Sequence, residues 1–227
     1  MRTIPIVLGA AAIQPLAAAA APACLVLSAM SLRKASARHC RRTSRRAPIV
    51  TKGRHTETKK MCGRYTNKLT WAEIVALYRL TLDAPPHNLQ PRFNGCPTDP
   101  IDVVTERDGK REYSRMRWGL VPWWWSKPLK ELRMATFNAR AETVTTKPVF
   151  RDAFKRSRCL IPVSGYYEWQ DTPGGKQPWY FTARDGSPAL TIAGIWDQWK
   201  NRETGEPLKS CAMIITEPNT IVGEVHD

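Results

Sequence analysis

Two strand-like runs lie in the stretch Cys159-Leu160-Ile161-Pro162-Val163-Ser164-Gly165-Tyr166-Tyr167-Glu168-Trp169, one at residues 159–163 and the other at 165–169. Branched and aromatic side chains dominate both runs, which is typical of strands. Glycine- and proline-containing turns separate them from three further runs of the same kind, at residues 179–183, 189–196 and 211–216. This part of the chain therefore predicts a sheet of short strands that follow one another closely.

A predicted hairpin precedes these strands. Residues 101–105 and 112–120 form its two arms, and Asp108-Gly109 is its turn. Apolar and basic side chains alternate along the second arm, which predicts one face directed towards a core. The apolar face carries Met116, Trp118 and Leu120, and the basic face carries Arg115 and Arg117.

Two short helices are predicted beside the sheet. Thr70-Trp71-Ala72-Glu73 has the form of a capping box, and an amphipathic stripe behind it predicts a helix through about Leu80. A second helix is predicted over residues 146–156, where Pro148 suits a first helical turn. The sequence has no internal repeat, no glycine-rich phosphate loop and no βαβ alternation. We therefore expect an α+β domain that is dominated by strands, with a highly curved or barrel-like mixed sheet and a few flanking helices.

This domain is assigned to residues 61–227, and residues 1–60 form a leader. The leader holds 12 of the 35 basic residues and one acid, Glu57, so its net charge is +11 against +4 for the domain. All nine tryptophans lie in the domain. We expect the leader to be disordered, and we interpret it first as upstream sequence ahead of a start at Met61. A targeting or export segment is the alternative. The end at His226-Asp227, directly after an apolar strand, is interpreted as truncated.

Cys62 follows Met61 directly, and this position has chemical consequences. If the chain begins at Cys62, that residue carries a free α-amine beside its thiol. The amine condenses with an aldehyde to an imine, and the thiolate then closes a five-membered thiazolidine. The reference pKa values of an α-amine and a thiol, about 7.7–8.0 and about 8.5, keep both nucleophilic forms accessible near neutral pH.

Other cysteines and a run of aromatic residues complete the set of chemical features. The six cysteines show no CxxC pair and no Cys/His metal spacing, so we expect free thiols, an intracellular protein and no bound metal. Trp123-Trp124-Trp125 lies between Pro122 and Pro128, with lysines close by. Adjacent residues of a loop cannot all face one core. We therefore expect one or two rings to anchor the loop and at least one to be exposed as a stacking platform for bases.

These residues give the domain a close resemblance to the SOS response-associated peptidase family of abasic-site processing proteins. Eight motifs in the family's order carry it: Met61-Cys62-Gly63-Arg64-Tyr65, Pro91-Arg92-Phe93-Asn94 with Pro97-Thr98, Trp118-Gly119-Leu120-Val121-Pro122-Trp123, Asn138-Ala139-Arg140-Ala141-Glu142-Thr143, Cys159-Leu160-Ile161-Pro162, Gly165-Tyr166-Tyr167-Glu168-Trp169, Ala193-Gly194-Ile195-Trp196 and His226-Asp227. The chain departs from the family pattern in two ways, because family members normally begin at Met-Cys and continue beyond His-Asp.

The resemblance implies a sensor of abasic sites in single-stranded DNA that acts in the DNA damage (SOS) response. Its N-terminal cysteine, here Cys62, bonds covalently to the ring-opened sugar as a thiazolidine. A peptidase activity is implied chiefly as self-removal of the residues ahead of that cysteine. The implied enzyme needs no cofactor, works as a monomer and has no membrane partner. We expect a cytoplasmic location, at the nucleoid when DNA is bound, although the leader also resembles a targeting segment.

The resemblance also assigns roles to individual residues. Glu168 is expected as general acid/base, since a carboxyl group among aromatic residues is partly desolvated and its pKa is raised. His226 is expected to assist ring opening, and Asn138 to hold the Cys62 amine or the sugar. Arg64 and Arg140 are expected to clamp phosphates that flank the lesion. The remaining predicted DNA contacts are three tryptophans: Trp118, Trp123 and Trp124.

Two other functions stay open at this point. Class II glutamine amidotransferases also begin Met-Cys-Gly, so an N-terminal-nucleophile amidohydrolase is one alternative. Arg64-Tyr65 and the tryptophan-rich loop disfavour it, because neither serves glutamine binding. The other alternative is a single-stranded DNA-binding module without a covalent step. With a charge of +4 on the domain, we expect single-strand binding to be modest, dependent on salt and tolerant of sequence.

Overall fold

A computed structural model describes residues 63–81 and 87–225, together with the backbone of residues 30–34. Three α-helices are present in these ranges: α1 (Trp71–Tyr78), α2 (Arg151–Arg156) and α3 (Thr220–Gly223). The strands are β1 (Met30–Lys34), β2 (Tyr65–Asn67), β3 (Arg92–Gly95), β4 (Pro100–Arg107), β5 (Lys110–Trp118), β6 (Asn138–Arg140), β7 (Arg158–Val163), β8 (Gly165–Thr172), β9 (Gly175–Ala183), β10 (Leu190–Lys200) and β11 (Pro207–Ile215). A short 3-10 helix covers Leu129–Glu131.

The strands form a closed barrel and a second sheet beside it. The barrel order is β10-β7-β4-β5-β11, and pairing between β10 and β11 closes the ring. Strands β5 and β11 run parallel, and β6 extends the same edge of β11 in a parallel direction. The second sheet has the order β1-β9-β8-β2-β3. The expected strand-dominated α+β fold with a barrel-like mixed sheet is therefore confirmed.

The predicted hairpin forms one wall of the barrel. Strands β4 and β5 pair without interruption from Pro100 opposite Arg117 to Arg107 opposite Lys110. Between them Asp108 and Gly109 have φ values of 51° and 76°. Two consecutive positive φ values are typical of the type I′ turn, whose twist matches that of the flanking strands.

The predicted alternation along β5 and in the residues after it places an aromatic side chain at the centre of the barrel core. Met116, Trp118 and Leu120 are almost fully buried, whereas Arg115 is exposed. The Trp118 ring meets Tyr65 of β2 and Phe137 edge to face, with ring centroids 5.5 Å and 5.8 Å away. The core of the barrel is thereby joined to the strand that follows the Met61-Cys62 pair.

Helix α1 begins where the sequence predicts and ends at Tyr78, two residues before the expected Leu80. Thr70 Oγ1 accepts a hydrogen bond from the Glu73 amide at 3.3 Å, and Glu73 Oε2 accepts from the Thr70 amide at 2.7 Å, which completes the capping box. Arg79 then ends the helix in the left-handed region at φ 49°. Ile74 and Tyr78 form its buried face.

Helix α2 is shorter than the predicted 146–156, because it begins only at Arg151. The preceding residues form successive turns, in which the Lys147 amide donates to the Thr143 carbonyl and the Phe150 amide to the Lys147 carbonyl. Pro148 lies between them and has no N–H to donate. Regular helical hydrogen bonding therefore starts beyond it.

Strand β1 was not expected, because the whole leader was assigned as disordered. Its backbone pairs antiparallel with β9, from Met30 opposite Ala183 to Lys34 opposite Trp179. On its other side β9 pairs with β8. The outer edge of the second sheet is thus covered by five residues of the leader.

Candidate active site

The beginning of the domain lies against β8, the strand that carries Glu168. Tyr65 pairs with Tyr166 in antiparallel register, and the Tyr167 amide donates to the Arg64 carbonyl at 3.0 Å. The same register, carried two residues beyond Tyr65, aligns Gly63 with Glu168. Cys62 is bonded to Gly63 but lies outside the described residues. The N-terminal end of β2 therefore points along β8 towards the predicted acid/base.

Glu168 is a buried carboxylate in the middle of a strand. It is 6% exposed and pairs across the sheet with Trp179 of β9. Gln170 lies two residues further along β8, on the same face. Its side chain donates to the Glu224 carbonyl at 3.0 Å and accepts from Trp179 Nε1 at 3.1 Å. This amide fastens the C-terminal segment to the face of β8 that carries Glu168.

The C-terminal segment is held to the same core. Asn219 caps α3 by accepting a hydrogen bond from the Val222 amide at 3.0 Å. Val222 and Val225 are buried in the cluster that also contains Tyr65 and Trp118. His226 follows Val225 directly and lies outside the described residues. The buried Val225 and the bond from Gln170 to the Glu224 carbonyl thus fasten the end of the described chain to this core and to β8.

Asn138, like Glu168, is a buried polar residue near this core. It is 4% exposed and opens β6, where it pairs with Met213 of β11. The preceding Phe137 carbonyl accepts from the Met213 amide and from Trp118 Nε1, each at 2.9 Å. Trp118 also packs on Tyr65 of β2, so one buried indole connects the Asn138 segment to the strand that pairs with β8. The structure therefore assembles the segments of Glu168 and Asn138 around one aromatic cluster.

The two predicted phosphate clamps occupy different settings. Arg64 Nη1 donates to Asn94 Oδ1 of β3 at 2.6 Å, in an exposed position beside the N-terminal end of β2. Arg140 ends β6 two residues after Asn138, and its side chain is exposed. Its backbone is fixed, because the Arg140 carbonyl accepts from the amides of Thr143 and Val144. Both cations are thus attached to strands that carry or adjoin predicted site residues.

The tryptophan-rich loop is anchored by strand β10. The Trp123 amide donates to Asp197 Oδ2 at 2.9 Å, and Trp199 Nε1 donates to the Trp125 carbonyl at 2.6 Å. Trp125 is partly buried, whereas Trp123 is 55% exposed and Trp124 is 39% exposed. The arrangement has the expected inward anchor and two exposed rings. A cavity of about 420 Å³ adjoins the loop, and its lining includes Trp123, Trp125, Lys200 and Arg202.

Trp118 does not occupy the exposed position that a DNA contact requires. Its side chain has 0% exposure and its only polar atom donates to the Phe137 carbonyl. Alternation along β5 places it inside the barrel, so no face of the ring is open to a base. The structure assigns Trp118 to the support of the site, and this corrects the expectation that it contacts DNA.

The thiols that the structure describes differ from the predicted nucleophile in their surroundings. Cys96, Cys159 and Cys211 form no disulfide. Burial raises the pKa of Cys159 well above its ordinary value and that of Cys211 to about 12. Both buried thiols stay protonated near neutral pH and are poor nucleophiles. Within the described ranges, no three His, Cys, Asp or Glu side chains lie together as metal ligands.

Three contributing residues were not singled out by their sequence alone. Asn94 binds the Arg64 side chain, Gln170 fastens the C-terminal segment and Asp197 anchors the aromatic loop. Asn94 lies inside a family motif, which is a signal for it. Gln170 and Asp197 act through bonds to residues 54 and 74 positions away, and no local pattern marks such partners.

A family model and several known proteins match this chain. Residues 61–227 match the model of the SRAP family, described as SOS response associated peptidase. The abasic site processing protein YoaM of Bacillus subtilis is 30% identical over 167 residues, which cover 74% of this chain and 72% of YoaM. The abasic site processing protein HMCES of Xenopus tropicalis is 30% identical over 164 residues, which cover 61% of this chain and 49% of HMCES.

Solved structures show the same architecture. A protein from Bacteroides thetaiotaomicron superposes with a TM-score of 0.65 at 28% identity, with 72% of each chain covered. A protein from Bordetella bronchiseptica gives a TM-score of 0.60 at 25% identity, covering 73% of this chain and 78% of its own. In the described part of the chain, no helix combines the length and apolar character that a membrane span requires.

Proposed function

Because the chain belongs to the SOS response associated peptidase family, we propose that it captures abasic sites in single-stranded DNA as a covalent adduct of Cys62. Relatives in several organisms carry the name abasic site processing protein, which supports DNA at abasic sites as the substrate. An abasic site is the common DNA lesion that presents an aldehyde, and a terminal cysteine is a selective trap for aldehydes.

The proposed reaction has two bond-forming steps. The α-amine of Cys62 adds to C1′ of the ring-opened sugar and water leaves, which gives an imine. The Cys62 thiolate then adds to the same carbon, and the imine nitrogen takes up a proton as the thiazolidine ring closes. The product has no free aldehyde, so the β-elimination that breaks an abasic strand is blocked.

Glu168 is proposed to move the protons of these steps. It is buried on the strand that the N-terminal end of β2 joins, and Gly63 aligns with it. A partly desolvated carboxyl group suits proton transfer to the departing oxygen and from the attacking amine. Asn138 is proposed to orient the amine or the sugar by hydrogen bonds. His226 is proposed to assist the opening of the sugar ring, since the segment ahead of it is fastened to β8.

Single-stranded DNA is proposed to be bound through charge and stacking. Arg64 and Arg140 would hold phosphates on either side of the lesion, while Trp123 and Trp124 supply exposed faces for bases. Base–aromatic stacking tolerates any sequence, and phosphate contacts weaken as salt rises. The domain is therefore proposed to recognise the lesion by its aldehyde and the strand by its backbone.

The same site is proposed to act as a peptidase on its own chain. Removal of residues ahead of Cys62 exposes the amine that the capture step requires. A role in the SOS response follows as part of this proposal, because single strands with abasic sites accumulate during replication of damaged DNA. The adduct would shield the lesion until repair.

The observation that carries the proposal is the pairing of the Arg64–Tyr65 backbone with β8, which aligns Gly63 with the buried Glu168. To test it, protein expressed from Met61 is incubated with single-stranded DNA that bears one abasic site and is then run on a denaturing gel. We expect a shifted band that disappears with Cys62→Ala. Cys62→Ser is the matched control, because it keeps the α-amine, as Cys62→Ala does, and replaces only the sulfur that closes the thiazolidine by an oxygen.

The gel also separates the alternative functions. An amidohydrolase or a non-covalent binding module gives no adduct that survives denaturation. Absence of a shifted band at every protein excess would refute covalent capture, and so would an undiminished band with Cys62→Ala.

A further inference from the structure

A second cavity, of about 540 Å³, lies where β4, β5, β10 and β11 meet outside the barrel core. We refer to it as the basic cavity, because three cations line it: Arg115, Arg117 and Lys209. Its other polar lining residues are Thr98 and Gln198, and the rest are two prolines and a leucine. No carboxylate is among these lining residues. The basic cavity thus combines positive charge with apolar walls, which strengthen electrostatic attraction to an anion.

Arg117 is the most unusual of the three cations. It is half-buried, and burial lowers the pKa of its guanidinium from the ordinary value. Its side chain donates to the Gly119 carbonyl and forms no ion pair with any residue that the structure describes. A partly desolvated cation without a carboxylate partner is costly. An anion that enters the cavity would supply the missing charge.

Glycine at position 119 makes this placement of Arg117 possible. Gly119 has a φ of 130°, and a Cβ at this position would lie 2.5 Å from Arg117 Nη1. The backbone thus leaves room for the guanidinium to rest against the peptide. An arginine fixed in this way loses less freedom when it binds a phosphate bidentately.

The two other cations leave the basic cavity with an excess of positive charge. Lys209 Nζ lies 5.6 Å from the centre of the Trp196 ring and has no carboxylate partner within the described ranges. Arg115 Nε lies 3.8 Å from Asp102 Oδ1, in a pair whose arginine is exposed and whose carboxylate is mostly buried. Asp102 also accepts from Asn67 and Tyr113, so its charge is shared among several donors. The single negative charge of Asp102 therefore offsets only part of the positive charge of the three cations.

We propose that the basic cavity is a phosphate-binding site, with Arg117 as its central ligand and Lys209 and Arg115 beside it. The phosphate can belong to a free phosphoanion or to the backbone of a nucleic acid strand, and the chemistry that recognises it is the same. The site is separate from covalent capture. Arg117 and Trp118 are neighbours on β5 and face opposite sides of the barrel wall, and only Trp118 packs towards Tyr65 and Phe137.

Isothermal titration of the full chain with inorganic pyrophosphate, and separately with an undamaged oligothymidine, tests this site. We compare Arg117→Gln with Arg107→Gln, which removes the same charge from the exposed end of the same hairpin. Arg117→Gln is expected to weaken binding of at least one ligand about tenfold, and Arg107→Gln less than twofold. If Arg117→Gln weakens the binding of pyrophosphate, the cavity is assigned as a phosphoanion site. If it weakens only the binding of oligothymidine, the cavity is assigned as a site for backbone phosphates.

A second pair of variants keeps the test decisive if Arg117→Gln fails to fold. Lys209→Gln is compared with Lys110→Gln, which removes the same charge from the exposed first residue of β5. Equal effects within both pairs, for both ligands, would overturn the proposal. Neither ligand carries an aldehyde, so this failure would leave capture by Cys62 untouched, and a failure of capture would leave this site untouched.

Discussion

Glu168 illustrates how a single residue can be costly for folding and suited to chemistry. A carboxylate buried in the middle of a strand loses hydration that its neighbours must replace. Glu168 is 6% exposed, on the face of β8 where Gln170 fastens the C-terminal segment. Glutamine at this position has nearly the same shape as glutamate but no charge, so the free-energy cost of burying the charge is removed. Stability and activity are therefore expected to respond to this residue in opposite directions.

For Glu168→Gln we expect adduct formation at saturating DNA to slow by ~10²-fold or more, because the amide cannot transfer the protons. The Tm should stay the same or rise. Single-turnover kinetics on denaturing gels give the rate, and calorimetry gives the Tm. The matched control is Glu142→Gln, an exposed acid in the segment after β6. A Glu168→Gln protein that reacts at the normal rate would remove Glu168 from the mechanism.

For Arg140→Ala we expect a different signature, since this exposed cation is proposed to hold a phosphate. DNA affinity should fall, and the slope of log K against log salt should flatten by about 0.7, the value for one phosphate contact on a single strand. The rate at saturating DNA should not change. Fluorescence anisotropy across a salt series measures the slope, and Arg133→Ala, also exposed, is the control. If Glu168→Gln and Arg140→Ala both alter affinity alone, the proposed division between chemistry and positioning is wrong.

Among the elements, the tryptophan-rich loop depends most on distant strands for its shape. Proline at each end restricts the backbone, and the bonds from Trp123 to Asp197 and from Trp199 to the Trp125 carbonyl tie the loop to β10. An aromatic ring on an anchored loop loses little conformational freedom when a base stacks on it. The anchor is therefore part of the binding surface, although it does not touch DNA itself.

We expect Trp123→Ala to weaken binding of undamaged oligothymidine by about 5- to 150-fold, the equivalent of one stacked base. Asp197→Ala should weaken it less, because the ring remains but its loop is released. Met134→Ala removes another exposed apolar side chain and should have little effect. Anisotropy titrations at one salt concentration compare the three variants. Equal losses for Trp123→Ala and Met134→Ala would show that the loop is not a stacking platform.

Local patterns were enough to predict some elements and not others. The hairpin of β4 and β5 was predictable because its turn residues and alternation are contiguous, and α1 because its capping box is. Strand β6 was not predicted as a strand, because three residues with a polar first member have no periodicity of their own. Its pairing with β11, about 75 positions later, gives it its conformation. Closure of the barrel through β10 and β11 is likewise a tertiary event.

The site residues that lie within the family motifs were predictable from the sequence. Glu168 and Asn138 were identified by motif, and both prove to be buried beside one aromatic cluster. Alternation with Arg117 predicted that Trp118 faces the core, whereas the motif suggested a DNA contact, and the structure agrees with the alternation. The bond from Gln170 to Glu224 could not be predicted, because it joins two segments that meet only in the folded chain.

At the scale of the whole molecule, charge divides the chain into two parts. The leader carries +11 and the domain +4. A basic leader binds DNA without regard to lesions, through the release of counterions. Full-length protein is therefore expected to bind DNA more tightly than protein that begins at Cys62, and this binding is not a measure of activity. Affinity and capture must be measured separately.

The chemistry of Cys62 places a requirement on the N-terminus of any active molecule. A cysteine inside a chain has its nitrogen in an amide, which cannot form an imine with an aldehyde. Residues 1–61 must then be absent from any molecule that captures an abasic site by this route. Three routes could remove them: initiation at Met61 with loss of that methionine, cleavage upstream followed by trimming, or self-cleavage before Cys62.

Methionine removal favours a small second residue, and Cys62 is small, so initiation at Met61 requires no special machinery. We expect full-length protein to form no adduct and protein expressed from Met61 to carry Cys62 as its first residue. N-terminal sequencing and intact mass of the crosslinked species give the answer. Protein with one extra alanine ahead of Cys62 is the control, because it keeps the thiol and blocks only the amine. An adduct that still carries residues ahead of Cys62 would overturn the thiazolidine mechanism, since no free amine would then exist at that position.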